Sequence, residues 1–216
     1  RNFNWVKERE VNTTFIQKLP LSKKNIQLYL PFLPLAIEQL NLDNYKLIIS
    51  SSHLAAKGVI TAPDQCHIAY IHTPMRYAWD QMNIYLKSSA LCKIGLEPFI
   101  RYFLYHLRSW DYISSQRIDY LIANSNFTAK RIKKYWGRES KVIFPPVDVN
   151  RFNHNKNRGD YYLSVSRLVP NKRVDLIVKA FNKLKYPLII IGDGVEKNYL
   201  KKIKRKNIKI LGFQSD

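Results

Sequence analysis

Short apolar runs alternate with longer amphipathic stretches along most of this chain, and that alternation limits its architecture more than any other property. Runs rich in β-branched and aromatic residues occur at 46–50 (KLIIS), 67–72 (HIAYIH), 120–123 (YLIA), 142–144 (VIF), 161–166 (YYLSVS), 188–191 (LIII) and 208–211 (IKIL). Strands separated by helical stretches predict parallel sheets with crossover helices. Continuous apolar runs such as LIII are typical of strands that are covered on both faces.

The intervening stretches carry helix signals. Asn126–Trp136 has Ser125 in the N-cap position and Gly137 just after its end. Helices are also predicted at 172–184 and 195–204. The stretch 99–109 (FIRYFLYHLRS) places its apolar residues on one helical face, namely Ile100, Phe103, Leu104 and Leu107. That face would cover the sheet or lie in a membrane interface.

Two domains are predicted, at residues 1–150 and 151–216. The stretch between Pro145 and Asp160 is rich in polar residues and poor in apolar ones, as is typical of a domain boundary. The second unit has only three predicted strands, which is little for an independent domain with a parallel sheet. We therefore expect the sequence to be a fragment whose second domain is incomplete.

The net charge limits the kinds of binding partner that are expected. Lys and Arg number 36 and Asp and Glu 16, a formal net charge of +20 that favours nucleic acid, an acidic membrane or phosphorylated small molecules. No nucleic-acid-binding motif is present, and the lysines are scattered over several helices. The two cysteines have neither disulfide-scaffold nor metal-ligand spacing, which suggests a reducing compartment. No apolar run is long enough to cross a bilayer.

The stretch 70–80 (YIHTPMRYAWD) runs from a predicted strand into a loop, where open parallel sheets bind ligands. His72 ends the strand and could hold a hydroxyl or accept a proton near neutral pH. A histidine that only hydrogen-bonds nearby backbone is the competing interpretation. The side chains that follow are also candidates for a cleft: Arg76, Tyr77, Trp79 and Asp80.

A second loop, after the strand 46–50, contains Ser52, His53 and Lys57. Its small residues would allow a ligand to approach closely, and Lys57 could neutralise phosphate. An exposed loop without a ligand explains the same pattern.

The third loop, 166–173 (SRLVPNKR), separates a predicted strand from a predicted helix. Arg167 can make a forked contact with phosphate oxygens, and Lys172 can add a second positive charge. Cations at a helix N-terminus oppose the helix dipole, so this placement suggests an anion between them. Gly192 and Gly194 form a tight turn after the next strand, which is a weak signal alone.

These motifs, in this order and spacing between residues 50 and 212, resemble family 4 (group 1) glycosyltransferases, and most closely the mannosyltransferases of surface-polysaccharide synthesis. The resemblance implies an α/β fold of the GT-B type, with an acceptor-side Rossmann-like domain followed by a donor-binding one. It implies that Arg167 and Lys172 bind the donor diphosphate, that His72 lines the reaction centre, and that Gly192 and Gly194 lie on the nucleotide side. It also implies a retaining reaction without a metal.

The expected function is transfer of a hexose, best assigned as mannose from GDP-mannose, to a glycan or lipid-linked acceptor. We expect a cytoplasmic protein that could contact the inner membrane face, with no nucleic acid partner. The family's Glu-x7-Glu motif and glycine-rich loop would lie outside residues 1–216, so we expect no turnover by this chain alone. The alternatives are a non-catalytic phosphate-binding remnant and, less favoured, a basic nucleic-acid-binding protein.

Overall fold

The computed structural model describes residues 11–22, 26–88, 92, 94–151 and 159–215. The chain divides into two compact units, Arg1–Val147 and Asp148–Asp216. This division lies close to the one proposed from the sequence, after residue 150. Residues 152–158, which belong to the polar segment interpreted there as a boundary, are outside the described part of the chain.

The first unit is built on a four-stranded sheet with the order β1-β2-β3-β4, in which all neighbours are parallel. Its strands are β1 (Leu47–Ser52), β2 (Cys66–Ile71), β3 (Tyr120–Ala123) and β4 (Lys141–Val142). The predicted parallel sheet is thereby confirmed. β1 continues two residues beyond the predicted end, because its serines pair in register with Tyr70 and Ile71.

Helices of this unit are α1 (Leu33–Glu38), α2 (Met82–Ser88), α3 (Glu97–Gln116) and α4 (Asn126–Trp136). The predicted bounds of α4 are confirmed, and both of its end signals work as expected. The Ser125 hydroxyl accepts the Thr128 N–H at 3.2 Å, and Gly137 ends the helix in the left-handed conformation at φ 66°. α1 and α2 were not predicted from the sequence.

Two apolar clusters hold the first unit together. One joins β2 and β3 to α4 through Ala69, Ile71, Leu121, Ala123, Ile132 and Trp136. The other packs α2 and α3 on the loop that follows β2, through Met75, Ala78, Leu86, Leu104 and Leu107. The predicted apolar face of α3 is therefore buried in the unit, while Phe99, Tyr102 and Tyr105 on other sides of the helix are exposed.

The second unit has a parallel sheet with the order β5-β6-β7, formed by β5 (Tyr162–Val165), β6 (Leu188–Ile191) and β7 (Ile208–Gly212). Helices α5 (Val174–Leu184) and α6 (Lys197–Ile203) connect these strands. One cluster fills the space between helices and sheet: Leu168, Val174, Val178, Leu188, Ile190, Leu200 and Ile208.

Within the described residues, the expectation that strands are covered on both faces agrees with β6, the LIII run, where buried and half-buried residues alternate, but not with β1 and β5. Ile49 of β1 is 68% exposed and Val165 of β5 is 66% exposed, while their neighbours on the other face are buried or half-buried. In the first unit α4 packs on one face of the sheet, and in the second unit α5 and α6 do so. Among the described residues, no helix has the length and apolar character needed to cross a bilayer.

Candidate functional site

His72 follows the carboxyl end of β2 and is fixed by its backbone. Its N–H donates to the Ser52 carbonyl at 2.8 Å, and its own carbonyl accepts the Thr128 hydroxyl at 3.2 Å. The imidazole itself is exposed, with Nε2 2.8 Å from the Ser51 hydroxyl and the ring edge-on to Tyr70. A residue held in this way presents a titratable ring in a defined position.

A cavity of about 370 Å³ opens beside His72. It is lined by His53, His72, Thr73, Arg76, Phe127, Thr128 and Arg131. The structure thus brings together three of the residues proposed from the sequence, His53, His72 and Arg76. This volume lies near the lower end of the range for small-molecule sites.

The two arginines of the cavity differ in their surroundings. Arg131 on α4 is only 8% exposed, and its guanidinium forms an ion pair with Asp80 at 2.7 Å. Arg76 is half-buried, and its side chain has no ion pair or hydrogen bond within the described residues. Asp80, which was proposed as a cleft residue, is thus the partner of Arg131.

Lys57 does not lie in the cleft, which corrects the expectation that it could neutralise a bound phosphate. It is 2% exposed, and its ammonium lies 3.2 Å from Asp111 Oδ1. The ammonium also donates to the Asp111 carbonyl at 2.8 Å and to the Ser114 hydroxyl at 2.5 Å. The rings of Trp110 and Trp136 flank it at 5.2 and 4.8 Å. Burial lowers the pKa of Lys57, against the opposing effect of Asp111.

The remaining cleft candidates also point inward. Trp79 stacks on Tyr135 at 4.7 Å between ring centroids, and its indole N–H donates to Asp111 Oδ2 at 2.8 Å. Ser52 is buried, and its hydroxyl accepts the Lys57 backbone N–H at 3.3 Å. Burial raises the pKa of Tyr77 well above its usual range, so this phenol stays neutral. These three side chains support the loop and do not line the cavity beside His72.

Several residues of the site were missed in the sequence. Arg131, Phe127 and Thr128 come from α4, and Thr73 from the loop itself. Arg131 could have been found, because it shares one face of the predicted helix with Thr128, Ile132 and Tyr135 at the spacing of a buried stripe. An arginine within such a stripe is rare unless it is paired.

In the second unit, Arg167 and Lys172 lie in the loop that follows β5, and both are exposed. Neither side chain has an ion pair or hydrogen bond in the described part of the chain. The neighbouring Arg173 differs, because it pairs with Asp175 at 3.0 Å. The hydrogen bond from Arg173 lowers the pKa of Asp175 to about 2.

The helix after this loop begins later than predicted. Pro170–Lys172 forms a short 3-10 helix and Arg173 is left-handed at φ 52°, so α5 starts at Val174. Lys172 is consequently not in the first turn of α5. The joint action of Arg167, Lys172 and the N-terminus of this helix on one anion stays a prediction.

Gly192 and Gly194 allow the loops after β5 and β6 to touch. A Cβ on Gly192 would lie 1.8 Å from the Ser166 carbonyl oxygen, and one on Gly194 would lie 2.3 Å from that of Leu168. Their φ angles of 142° and 156° also favour glycine. Hydrogen bonds from Leu168 N–H to the Asp193 carbonyl (2.9 Å) and from Glu196 N–H to the Leu168 carbonyl (3.0 Å) close the contact. The glycines therefore position the Arg167 loop.

Two family models match the chain. The model of Glycosyltransferase Family 4 matches residues 3–151, and that of Glycosyl transferases group 1 matches residues 147–216. No curated protein matches it significantly. The described residues contain no group of three or more His, Cys, Asp or Glu side chains placed to hold a metal ion.

Several solved structures are similar, among them three with 15% sequence identity. TarM of S. aureus has a TM-score of 0.55, and the match covers 86% of this chain and 36% of TarM. Anabaena HepE in complex with UDP and glucose has a TM-score of 0.51, and the match covers 96% of this chain and 55% of HepE. The lipopolysaccharide outer core galactosyltransferase WaaB has a TM-score of 0.51, and the match covers 98% of this chain and 55% of WaaB. At this identity the likeness shows the fold alone. The chain spans 36% to 55% of the length of these proteins.

Proposed function

The chain belongs to glycosyltransferase family 4 and has the α/β fold of the GT-B type, and on this premise we propose that the protein transfers a hexose from a nucleotide sugar to a glycan or lipid-linked acceptor. The single observation that carries the proposal is a pair of exposed cations in the loop after β5, neither of which has a partner among the described residues. Arg167 and Lys172 lie at the carboxyl edge of a parallel sheet, where α/β folds bind ligands.

These two cations suit a diphosphate leaving group. Negative charge develops on the diphosphate as the bond to the sugar breaks, and preorganised positive charge stabilises that state. The forked guanidinium of Arg167 can contact two oxygens, and Lys172 adds a point charge. In this proposal the two side chains perform the charge neutralisation without a metal ion. The glycine contact between the loops holds Arg167 in place for this role.

On the acceptor side, we assign His72 to the reaction centre. Its exposed imidazole can hold or accept a proton from a sugar hydroxyl, and its backbone contacts limit its movement. We further propose that the reaction retains the anomeric configuration and that the donor is GDP-mannose. Both assignments come from the resemblance of the sequence motifs to family 4 mannosyltransferases. HepE and a TarM mutant have been crystallised with UDP, so both GDP and UDP belong in the test.

We place the reaction at the cytoplasmic face of a membrane, where lipid-linked acceptors reside. The net charge of +20 supports this placement, because anionic phospholipids attract basic surfaces. A phosphate-binding remnant without turnover is the competing assignment. It would bind nucleotide through the same two cations and transfer no sugar.

Calorimetric melting of the chain tests the donor site. GDP, UDP, GDP-mannose and UDP-glucose are added in turn, and a ligand at a hundredfold excess over its Kd should stabilise by roughly 2.7 kcal/mol. The expected rise in Tm is roughly 5–10 °C. Arg167→Ala and Lys172→Ala should lose this rise. Lys183→Ala, which removes an exposed charge near the other end of α5, should retain it.

The outcomes separate the assignments. A nucleotide-selective shift that disappears in Arg167→Ala supports the donor site and identifies its base. An equal shift in Arg167→Ala and wild type would refute the role of that residue. Sugar transfer by the chain, measured with radiolabelled GDP-mannose and UDP-glucose, would exclude the remnant, whereas binding without transfer is expected for both assignments.

A further inference from the structure

The cavity beside His72 is positively charged and lacks a counter-charge for Arg76. Among the described residues, its lining contains two arginines, two histidines and no carboxylate. Asp80 compensates Arg131 at 2.7 Å. No equivalent partner exists within the described chain for the guanidinium of Arg76, whose nitrogens reach solvent although the residue as a whole is half-buried.

A guanidinium without a protein partner at the wall of a cavity can pair with an anionic ligand, because its donors are bound only to solvent. Elsewhere in the same unit two buried cations have carboxylate partners, since Lys57 pairs with Asp111 and Arg131 with Asp80. Arg76 differs from them because it has no carboxylate partner within the described residues, so its fork is available to a bound anion. A guanidinium fork matches the oxygens of a phosphoryl group, and such charge-assisted hydrogen bonds are among the stronger ones in proteins.

The surroundings of Arg76 favour an anion as well. Phe127 and Thr128 from the first turn of α4 line the same cavity, so the positive end of an 11-residue helix lies beside it. His53 and His72 add donors that can bond to phosphoryl oxygens. The ring of Phe127 supplies an apolar wall, which suits the carbon skeleton of a sugar or lipid.

We propose that the acceptor is phosphorylated and that its phosphoryl group binds to Arg76 in this cavity, with His53 as a second contact. This proposal rests on the proposed function, because it assigns the acceptor class of the same glycosyltransferase. It goes further by making the acceptor an anion, whether a sugar phosphate or a lipid phosphate. His72 lines the same cavity, so a hydroxyl of the same acceptor can reach the reaction centre.

NMR of the histidine side chains tests the site with the whole chain. The imidazole Cε1 protons are assigned with His53→Gln and His72→Gln, and inorganic phosphate is titrated at physiological ionic strength. We expect the His53 and His72 signals to shift with saturation, and the signals of buried His67 and of His106 on α3 to stay in place. Arg76→Gln should weaken the phosphate affinity at least about tenfold.

Three variants serve as controls. Arg101→Gln removes the same charge from an exposed position on α3, so its phosphate affinity should match that of the wild type. Arg167→Ala should also leave the His53 and His72 shifts unchanged, which separates this site from the donor loop. Arg76→Lys keeps the charge without the fork and should bind phosphate with intermediate affinity. It also provides a measurement if Arg76→Gln does not fold.

Two further probes distinguish the source of the phosphoryl group. Glucose 1-phosphate that binds more tightly than phosphate, with the same dependence on Arg76, would identify a phosphorylated sugar. Arg76-dependent sedimentation with vesicles of phosphatidic acid and phosphatidylcholine, but not of phosphatidylcholine alone, would identify a lipid phosphate.

The proposal is overturned if phosphate leaves the His53 and His72 signals unmoved, or if Arg76→Gln and Arg101→Gln weaken binding equally. Nucleotide binding through Arg167 would survive either result, so the proposed donor site would stand. Conversely, phosphate binding through Arg76 without any nucleotide binding would refute the proposed donor site and leave the phosphate site intact.

Discussion

Replacement of Lys57 by Met tests the interpretation of this lysine as a buried structural cation. The substitution keeps an unbranched apolar stem and removes the ammonium that lies 3.2 Å from Asp111 Oδ1. It also removes the donors to the Asp111 carbonyl and the Ser114 hydroxyl. The Asp111 carboxylate, which is 0% exposed, would keep only the indole N–H groups of Trp79 and Trp136.

The size of the expected loss of stability follows from the burial of Asp111. Loss of one partner of a buried ion pair costs about 3–5 kcal/mol, because the other charge stays buried without compensation. A domain of this size loses about 2–4 °C in Tm per kcal/mol, so the transition of the first unit should fall by roughly 6–20 °C. That loss approaches the whole stability of a small domain, which is about 5–15 kcal/mol.

The matched control is Lys46→Met in the same unit. Lys46 pairs with Asp64 at the surface, where the two side chains are 80% and 64% exposed. Exposed pairs contribute about 0–1 kcal/mol, so this variant should melt close to the wild type. The assay is thermal unfolding for Tm and urea unfolding for the free energy, both followed by tryptophan fluorescence, which reports on the first unit through Trp79, Trp110 and Trp136.

The double variant Lys57→Met, Asp111→Asn makes the test specific. Removal of both charges should be less destabilising than the sum of the two single changes, because neither charge is then left alone. The amide oxygen of the new Asn can still accept the two indole N–H groups. Additive losses, or a loss of less than about 1 kcal/mol in Lys57→Met, would refute the account of a buried ion pair.

Two other changes test single features. Burial lowers the pKa of His67, so as the pH falls below about 6.5 this histidine takes up a proton in the unfolded protein before it does so in the folded protein. The free energy of unfolding, measured from urea midpoints, should therefore fall from pH ~8 to ~5. The fall should be smaller in His67→Gln. Equal slopes in both proteins would contradict this. Gly192→Ala places a Cβ 1.8 Å from the Ser166 carbonyl oxygen, so it should abolish nucleotide binding and lower the free energy of unfolding. The control is Gly137→Ala, whose Cβ meets open space. It should be less destabilising, because it introduces only the strain of a left-handed alanine, about 1–2 kcal/mol. Comparable melting of the two glycine variants would argue against the close loop contact.

The sequence was sufficient to predict the limits of helices and strands that are set by interactions between residues close together in the chain. The limits of α4 followed from a side-chain cap at Ser125 and a left-handed Gly137, and both interactions span fewer than five residues. The strands β3 and β6 were likewise predicted with their observed limits. The start of α5 was missed because a non-glycine residue, Arg173, adopts the left-handed conformation, which the sequence does not signal.

The candidate site was less predictable, because its contacts join distant parts of the chain. Lys57 was interpreted as a surface cation, and its true partner Asp111 lies 54 residues further along the sequence. The pairing of Asp80 with Arg131 spans 51 residues. A charged residue that is buried with a remote partner has the same local sequence context as an exposed one, so only the fold distinguishes them.

The two units fix their loops by different physical means. In the first unit, side chains do so: Asp111 accepts Trp79 from the His72 loop and Trp136 from α4, so one buried carboxylate ties the loop to the helix that carries Arg131. In the second unit, backbone contacts at Gly192 and Gly194 hold the Arg167 loop. Loss of Asp111 should therefore disturb phosphate binding at Arg76 even though Asp111 does not line that cavity. The Arg167 loop should tolerate side-chain changes around it but no added Cβ at the glycines.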